Sequence, residues 1–117
     1  MKSYNLQSVY ANLDKMLITA QQEYEETIEK YIEFAENYAN AVMEYRKLKA
    51  EKTKEYKQAG EPVTVISNYV QGDTAEAKRN MIIAESQKKH IEKMIEAYNN
   101  RINMLKFIGK KTENVIK

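Results

Sequence analysis

The stretch EYEETIEKYIEFAENYANAVMEYRKL, residues 23–48, carries Tyr24, Tyr31, Tyr38 and Tyr45, each seven residues after the last. Seven residues are about two turns of an α-helix, so the four phenols share one face. Stepping outward by alternate threes and fours gives Leu6, Tyr10, Leu13, Leu17, Ala20, Tyr24, Thr27, Tyr31, Phe34, Tyr38, Ala41, Tyr45 and Leu48. Thr27 alone is neither apolar nor aromatic. This is a sustained 3.5-residue seam, the pattern of helices packed along their length. Val9, Met16, Ile28, Ala35 and Val42 widen it on one side, as packing on more than one neighbour requires. Past Leu48 the seam positions become Lys52 and Glu55, and the run stops at Gly60 and Pro62. Gly60 suits the left-handed turn after a helix, and Pro62 forbids continuation. The spacing predicts a helix over about 3–59.

A second helix is expected over about 74–108. Asp73 and Glu76 read as a variant capping box, and the stripe runs Ala77, Met81, Ala84, Ile91, Ile95, Tyr98, Ile102 and Leu105 with Met94 and Ile108 beside it. Lys88 alone breaks that pattern. Gly109, Lys110 and Lys111 are expected to weaken the helix, leaving 109–117 as a tail in which Val115 and Ile116 dock again. The linker, 60–73, is the ambiguous piece. Val63, Ile66 and Val70 suit a short helix begun by Pro62, the preferred reading, whereas VTV alone suits an extended turn.

Two long helices joined by a short connection make an antiparallel hairpin. The fold class is therefore all-α: a coiled-coil-like hairpin, one domain over 1–117, assembling into a helical bundle. Charge agrees. Glu23–Glu36 holds six acids and one lysine, and Lys88–Lys111 seven bases and two acids, so a reversal near residue 66 sets the basic end beside the acidic belt. Such pairs contribute only about 0–1 kcal/mol each and favour register more than stability.

Length then implies a partner. At about 1.5 Å per residue the first helix is roughly 85 Å long, and the second reaches back only to about residue 25. Unless the tail folds back, Leu6, Val9, Tyr10, Leu13, Met16 and Leu17 lack an intrachain partner. An exposed stripe of that size marks an interface. A homo-oligomer, dimer or tetramer, is expected through Leu6, Tyr10, Leu13, Leu17, Tyr24, Tyr31, Phe34, Tyr38 and Tyr45. The tyrosine ladder is read as packing, each ring between helices and each hydroxyl at the rim. Base stacking is the rival, but the ladder sits in the most acidic part of the chain.

The basic cluster lies elsewhere. Arg46, Lys47, Lys49, Lys52, Lys54 and Lys57 end the first helix, Lys78 and Arg79 open the second, and a hairpin brings them together at its reversal, beside Val65 and Tyr69. They are the candidate contact for a partner protein or nucleic acid. A solvated coiled-coil surface is the plain alternative. Net charge is only +2, so any binding of an anion is local.

Composition excludes much else. With 43% apolar residues, 31% charged, three glycines and one proline among 117 residues, the chain reads as folded and helical. It has no cysteine, hence no disulfide or thiolate metal site. The start, MKSYNLQSVYANLDKMLITA, has no unbroken apolar run and reads as neither signal peptide nor membrane span. His90 is the only histidine and has no second imidazole or thiol to share a metal. Glu25 with Glu29, and Glu92 with Glu96, have the spacing of di-metal bundle ligands but lack the Glu-x-x-His element. GKKT lacks the glycine pattern of a phosphate loop. No catalytic, cofactor or metal residue is assigned, and the chain is read as a non-enzyme.

The segment EYRKLKAEKTKEYKQAGEPVTVISNYVQGDTAEAKRNMIIAESQ resembles small uncharacterised helical proteins of phages and prophages of Gram-positive bacteria. The features are a charged helix ending in Gly60-Glu61-Pro62, a short apolar stretch with Gly72-Asp73, and a second helix, over about 45–105. The resemblance implies an early replication and recombination setting, beside single-strand annealing and single-strand binding proteins, and action in the host cytoplasm. It carries over no functional residue. Three readings follow: an oligomeric hairpin binding a phage or host protein, and so modulating DNA replication, recombination or host defence; a nucleic-acid-binding accessory factor using the basic reversal; and a scaffolding rod. A secreted Trp-x-Gly hairpin is disfavoured by the absence of Trp.

Overall fold

The computed structural model describes residues 6–116, with side chains for 11–114. Among them are three α-helices and no strand: α1 (Leu6–Gln58), α2 (Val63–Asp73) and α3 (Ala75–Ile116). The fold is the expected all-α helical hairpin. The helices divide into two compact units, one of 32–90 and one of 6–31 with 91–116.

Unit 32–90 contains the reversal. Its geometry follows from two residues. Gly60 has φ +78°, its N–H donates to the Lys57 carbonyl at 3.2 Å, and the Glu61 N–H donates to Tyr56 at 3.1 Å. These bonds form a Schellman cap on α1, which needs the left-handed conformation glycine adopts at least cost. Pro62, with φ −59° and ψ 137°, turns the chain into α2. Its carbonyl accepts from Val65 and Ile66 at 3.1 and 3.3 Å.

The short helix expected after Pro62 is present, but α3 does not start afresh at Asp73. One residue, Thr74, separates α2 from α3. Its N–H donates to the Val70 carbonyl and its own carbonyl accepts from Lys78, both at 2.9 Å. The Thr74 hydroxyl also bonds Val70 O at 2.6 Å. With backbone bonding nearly continuous, few free amides remain to cap, and the Asp73 carboxylate accepts a hydrogen bond from the Tyr56 hydroxyl instead. The expected Asp73–Glu76 capping box is therefore corrected, and the reversal lies at 59–62 rather than near residue 66.

In unit 6–31 with 91–116, the core is Ala20, Ile102 and Leu105, with Leu13, Leu17 and Tyr24 packed against it. Burying Ile102 and Leu105 contributes about 1.5–3 kcal/mol each. The length argument is thereby corrected. Leu13 and Leu17 have a partner in their own chain, because the return limb begins at residue 63 and α3 does not stop near 108. Glycine within a helix costs only about 1 kcal/mol; α3 runs through Gly109 to Ile116, with the Thr112 hydroxyl on Ile108 O at 3.0 Å. The expected tail at 109–117 is helical as far as it is described. The side chains of Val9, Val115 and Ile116, and the helix start expected near residue 3, lie outside the described residues.

The seam is legible in burial. Every seam position from Leu13 to Leu48 is buried or half-buried, as is every position of the second stripe from Ala77 to Leu105. Thr27 is buried, and its hydroxyl donates to Glu23 O at 2.7 Å, so the one polar seam residue is satisfied. Lys88, out of pattern, is half-buried with its ammonium 5.5 Å from the Tyr38 ring centroid, a cation–π contact that lets a lysine occupy an apolar stripe.

Candidate interaction groove at the reversal

Within unit 32–90, the end of α1, one face of α2 and the start of α3 line an open groove of about 870 Å³. Residues three or four apart on a helix share a face, and Tyr45, Lys49, Thr53 and Lys57 of α1 form one wall. From α2, Val63, Ile66 and Val70 contribute apolar surface, and from α3 Lys78, Arg79, Ile82 and Ile83 complete the lining. Ile66 and Val70 are buried, whereas Val63, Ile82 and Ile83 are exposed, Val63 by 82%.

The rim has one sign of charge. Lys49, Lys57, Lys78 and Arg79 border the groove, and no carboxylate is among the described residues that line it. Two nearby acids are engaged elsewhere: Glu55 pairs with Lys52 at 3.4 Å, and Asp73 accepts from the Tyr56 hydroxyl. That bond favours the neutral phenol and, with slight burial and the nearby negative charge, raises the Tyr56 pKa above its ordinary value of 10.0. The Tyr56 ring also packs on Tyr69, with centroids 5.3 Å apart.

The eight basic residues singled out in the sequence thus separate. Lys49, Lys57, Lys78 and Arg79 line the groove. Arg46 and Lys54 join Lys49 and Lys57 on an adjoining face of α1. Lys52 is half-buried and paired with Glu55, and Lys47 is exposed outside both surfaces. Lys49 also lies 5.9 Å from the Tyr45 centroid. Of the exposed residues expected beside the cluster, Tyr69 is exposed and Val65 half-buried, and neither lines the groove. Ile82 and Ile83 escaped notice because they fall outside the apolar period of α3; two adjacent isoleucines off that period were the available signal.

The residues expected at an oligomer interface sit mostly on the intrachain seam. Leu13, Leu17 and Tyr24 pack on the core cluster; Tyr31, Phe34, Tyr38 and Tyr45 are half-buried; the side chains of Leu6 and Tyr10 lie outside those described. Among the described residues no three histidine, cysteine or acidic side chains cluster as a metal site, and no helix is long and apolar enough to cross a membrane. No family model, curated protein or solved structure matches the chain.

Proposed function

We propose that this chain is a non-catalytic interaction protein whose reversal groove holds an acidic, amphipathic helix of another protein. One observation carries this reading: the same groove joins an apolar floor to a rim of four cations without a carboxylate among its described lining residues. An amphipathic helix places apolar side chains on such a floor and acidic side chains toward such a rim. A phosphate backbone needs the cations but has no use for Val63, Ile82 and Ile83. The phage-type setting, an accessory or inhibitory protein in a host cytoplasm, belongs to this proposal through the resemblance of residues 45–105.

The second reading, binding of single-stranded nucleic acid, draws on the adjoining face, where Arg46 and Lys54 extend the row of Lys49 and Lys57. One titration separates the two. A synthetic helical peptide with leucines on one face and glutamates on the other is compared with its scrambled sequence and with a single-stranded oligonucleotide. The proposal expects the amphipathic peptide to bind at least about tenfold more tightly than its scramble. Equal binding by peptide and scramble contradicts it, and tighter binding by the oligonucleotide selects nucleic acid.

A further inference from the structure

We infer that the face of α1 turned away from its seam is a self-complementary surface that pairs antiparallel with a second copy of this chain. On this helix Ile32, Glu36, Ala39, Met43, Lys47 and Ala50 succeed one another by steps of three or four and form one stripe. All six are exposed. Ile32 and Met43 are 55% and 69% exposed, although the seam beside them is covered within the chain. The stripe has an order: an acid before its centre, a base after it, and apolar side chains at the middle and both ends.

That order selects its partner. A parallel pair of copies sets Glu36 against Glu36 and Lys47 against Lys47, and like charges repel. A two-fold axis passing between Ala39 and Met43 on this face instead brings Met43 of one copy against Ala39 of the other and Ile32 against Ala50. It also brings Glu36 against Arg46 and Lys47. Each contact occurs twice, as an isologous interface requires. The chain has reason to associate: the described core contains seven buried apolar residues, two of them alanine, and no large side chain under 2% exposed. A lone pair of helices leaves the outer side of each in water. The surface is distinct from the reversal groove, since none of the six lines it.

Sedimentation velocity over a concentration series tests this on the full chain, with helicity by circular dichroism as the control for folding. Wild type is expected at about twice the 13.7 kDa chain mass. Glu36→Lys, and Arg46→Glu together with Lys47→Glu, each place like charges together twice, and each raises the dimer dissociation constant at least about tenfold. Combining all three substitutions exchanges every sign at the contact, restores opposite charges and returns close to wild type. Met43→Glu, which puts a charge at the apolar centre, sediments as a monomer while remaining helical. A wild type that stays monomeric at hundreds of micromolar, on the order of a weak interface, overturns the inference. So does a dimer unmoved by these variants, or a combined variant no better than its parts.

Discussion

The Tyr56 hydroxyl donates a hydrogen bond to the Asp73 carboxylate, tying the last turn of α1 to the last residue of α2. This bond spans the loop containing Gly60 and Pro62, and it stands where a helix cap was expected. The raised Tyr56 pKa gives it a signature in pH. A group whose folded pKa exceeds its unfolded value contributes stability below the unfolded value and loses it as pH rises through the folded one. The stability difference between wild type and Tyr56→Phe is therefore level from neutral pH up to 10.0, the ordinary phenol value, and shrinks above it. Thermal unfolding of both proteins across that range checks this. A difference that grows with alkalinity contradicts the hydrogen bond.

Gly60→Ala tests the cap. A β-carbon there meets no atom within 4 Å, so crowding is not the issue. The cost is that of holding alanine at φ +78°, about 1–2 kcal/mol for a left-handed L-residue. Gly60→Asn is expected to lose less, since asparagine tolerates this region better. Chemical denaturation of both variants measures the difference.

The return of α3 beside the start of α1 is tested by two neighbours. Leu105 is 4% exposed and Phe107 60%. Leu105→Ala is expected to destabilise by about 2–3 kcal/mol, toward the lower end for buried leucine because this core is small. Phe107→Ala removes exposed surface and the ring under the Lys111 ammonium, 5.5 Å from its centroid, and is expected to cost no more than about 0.5–1 kcal/mol. Equal effects at the two positions are inconsistent with the packing.

Lys88→Ala removes both the stem that fills the stripe and the ammonium over Tyr38. A loss of about 0.5–1 kcal/mol is expected from a contact of this kind. Lys88→Met keeps most of the stem and separates packing from charge in the same unfolding assay.

These positions also mark how far the sequence could be read. The period of Leu13 to Leu48 specified the seam, and Gly60 with Pro62 marked the reversal, because both signals are local. The junction at Thr74 was not legible. Whether α2 merges with α3 depends on where the Asp73 carboxylate goes, and its partner Tyr56 is seventeen residues away. Gly109 misled for a different reason. One glycine in a long helix costs about 1 kcal/mol, less than the packing of Ile102 and Leu105 supplies. Of the groove, the basic rim was visible as a cluster, whereas Val63, Ile82 and Ile83 become one floor only once the chain reverses.

The most direct test of the groove is calorimetric titration of the amphipathic acidic peptide into wild type, Lys49→Glu with Lys78→Glu, and Ile82→Ser. All the substituted side chains are exposed, so each protein is expected to stay helical. Joint recognition by rim and floor predicts that both variants weaken binding by at least about tenfold. Binding that falls with the charge reversals but ignores Ile82→Ser contradicts a groove-held helix and leaves only a charged surface.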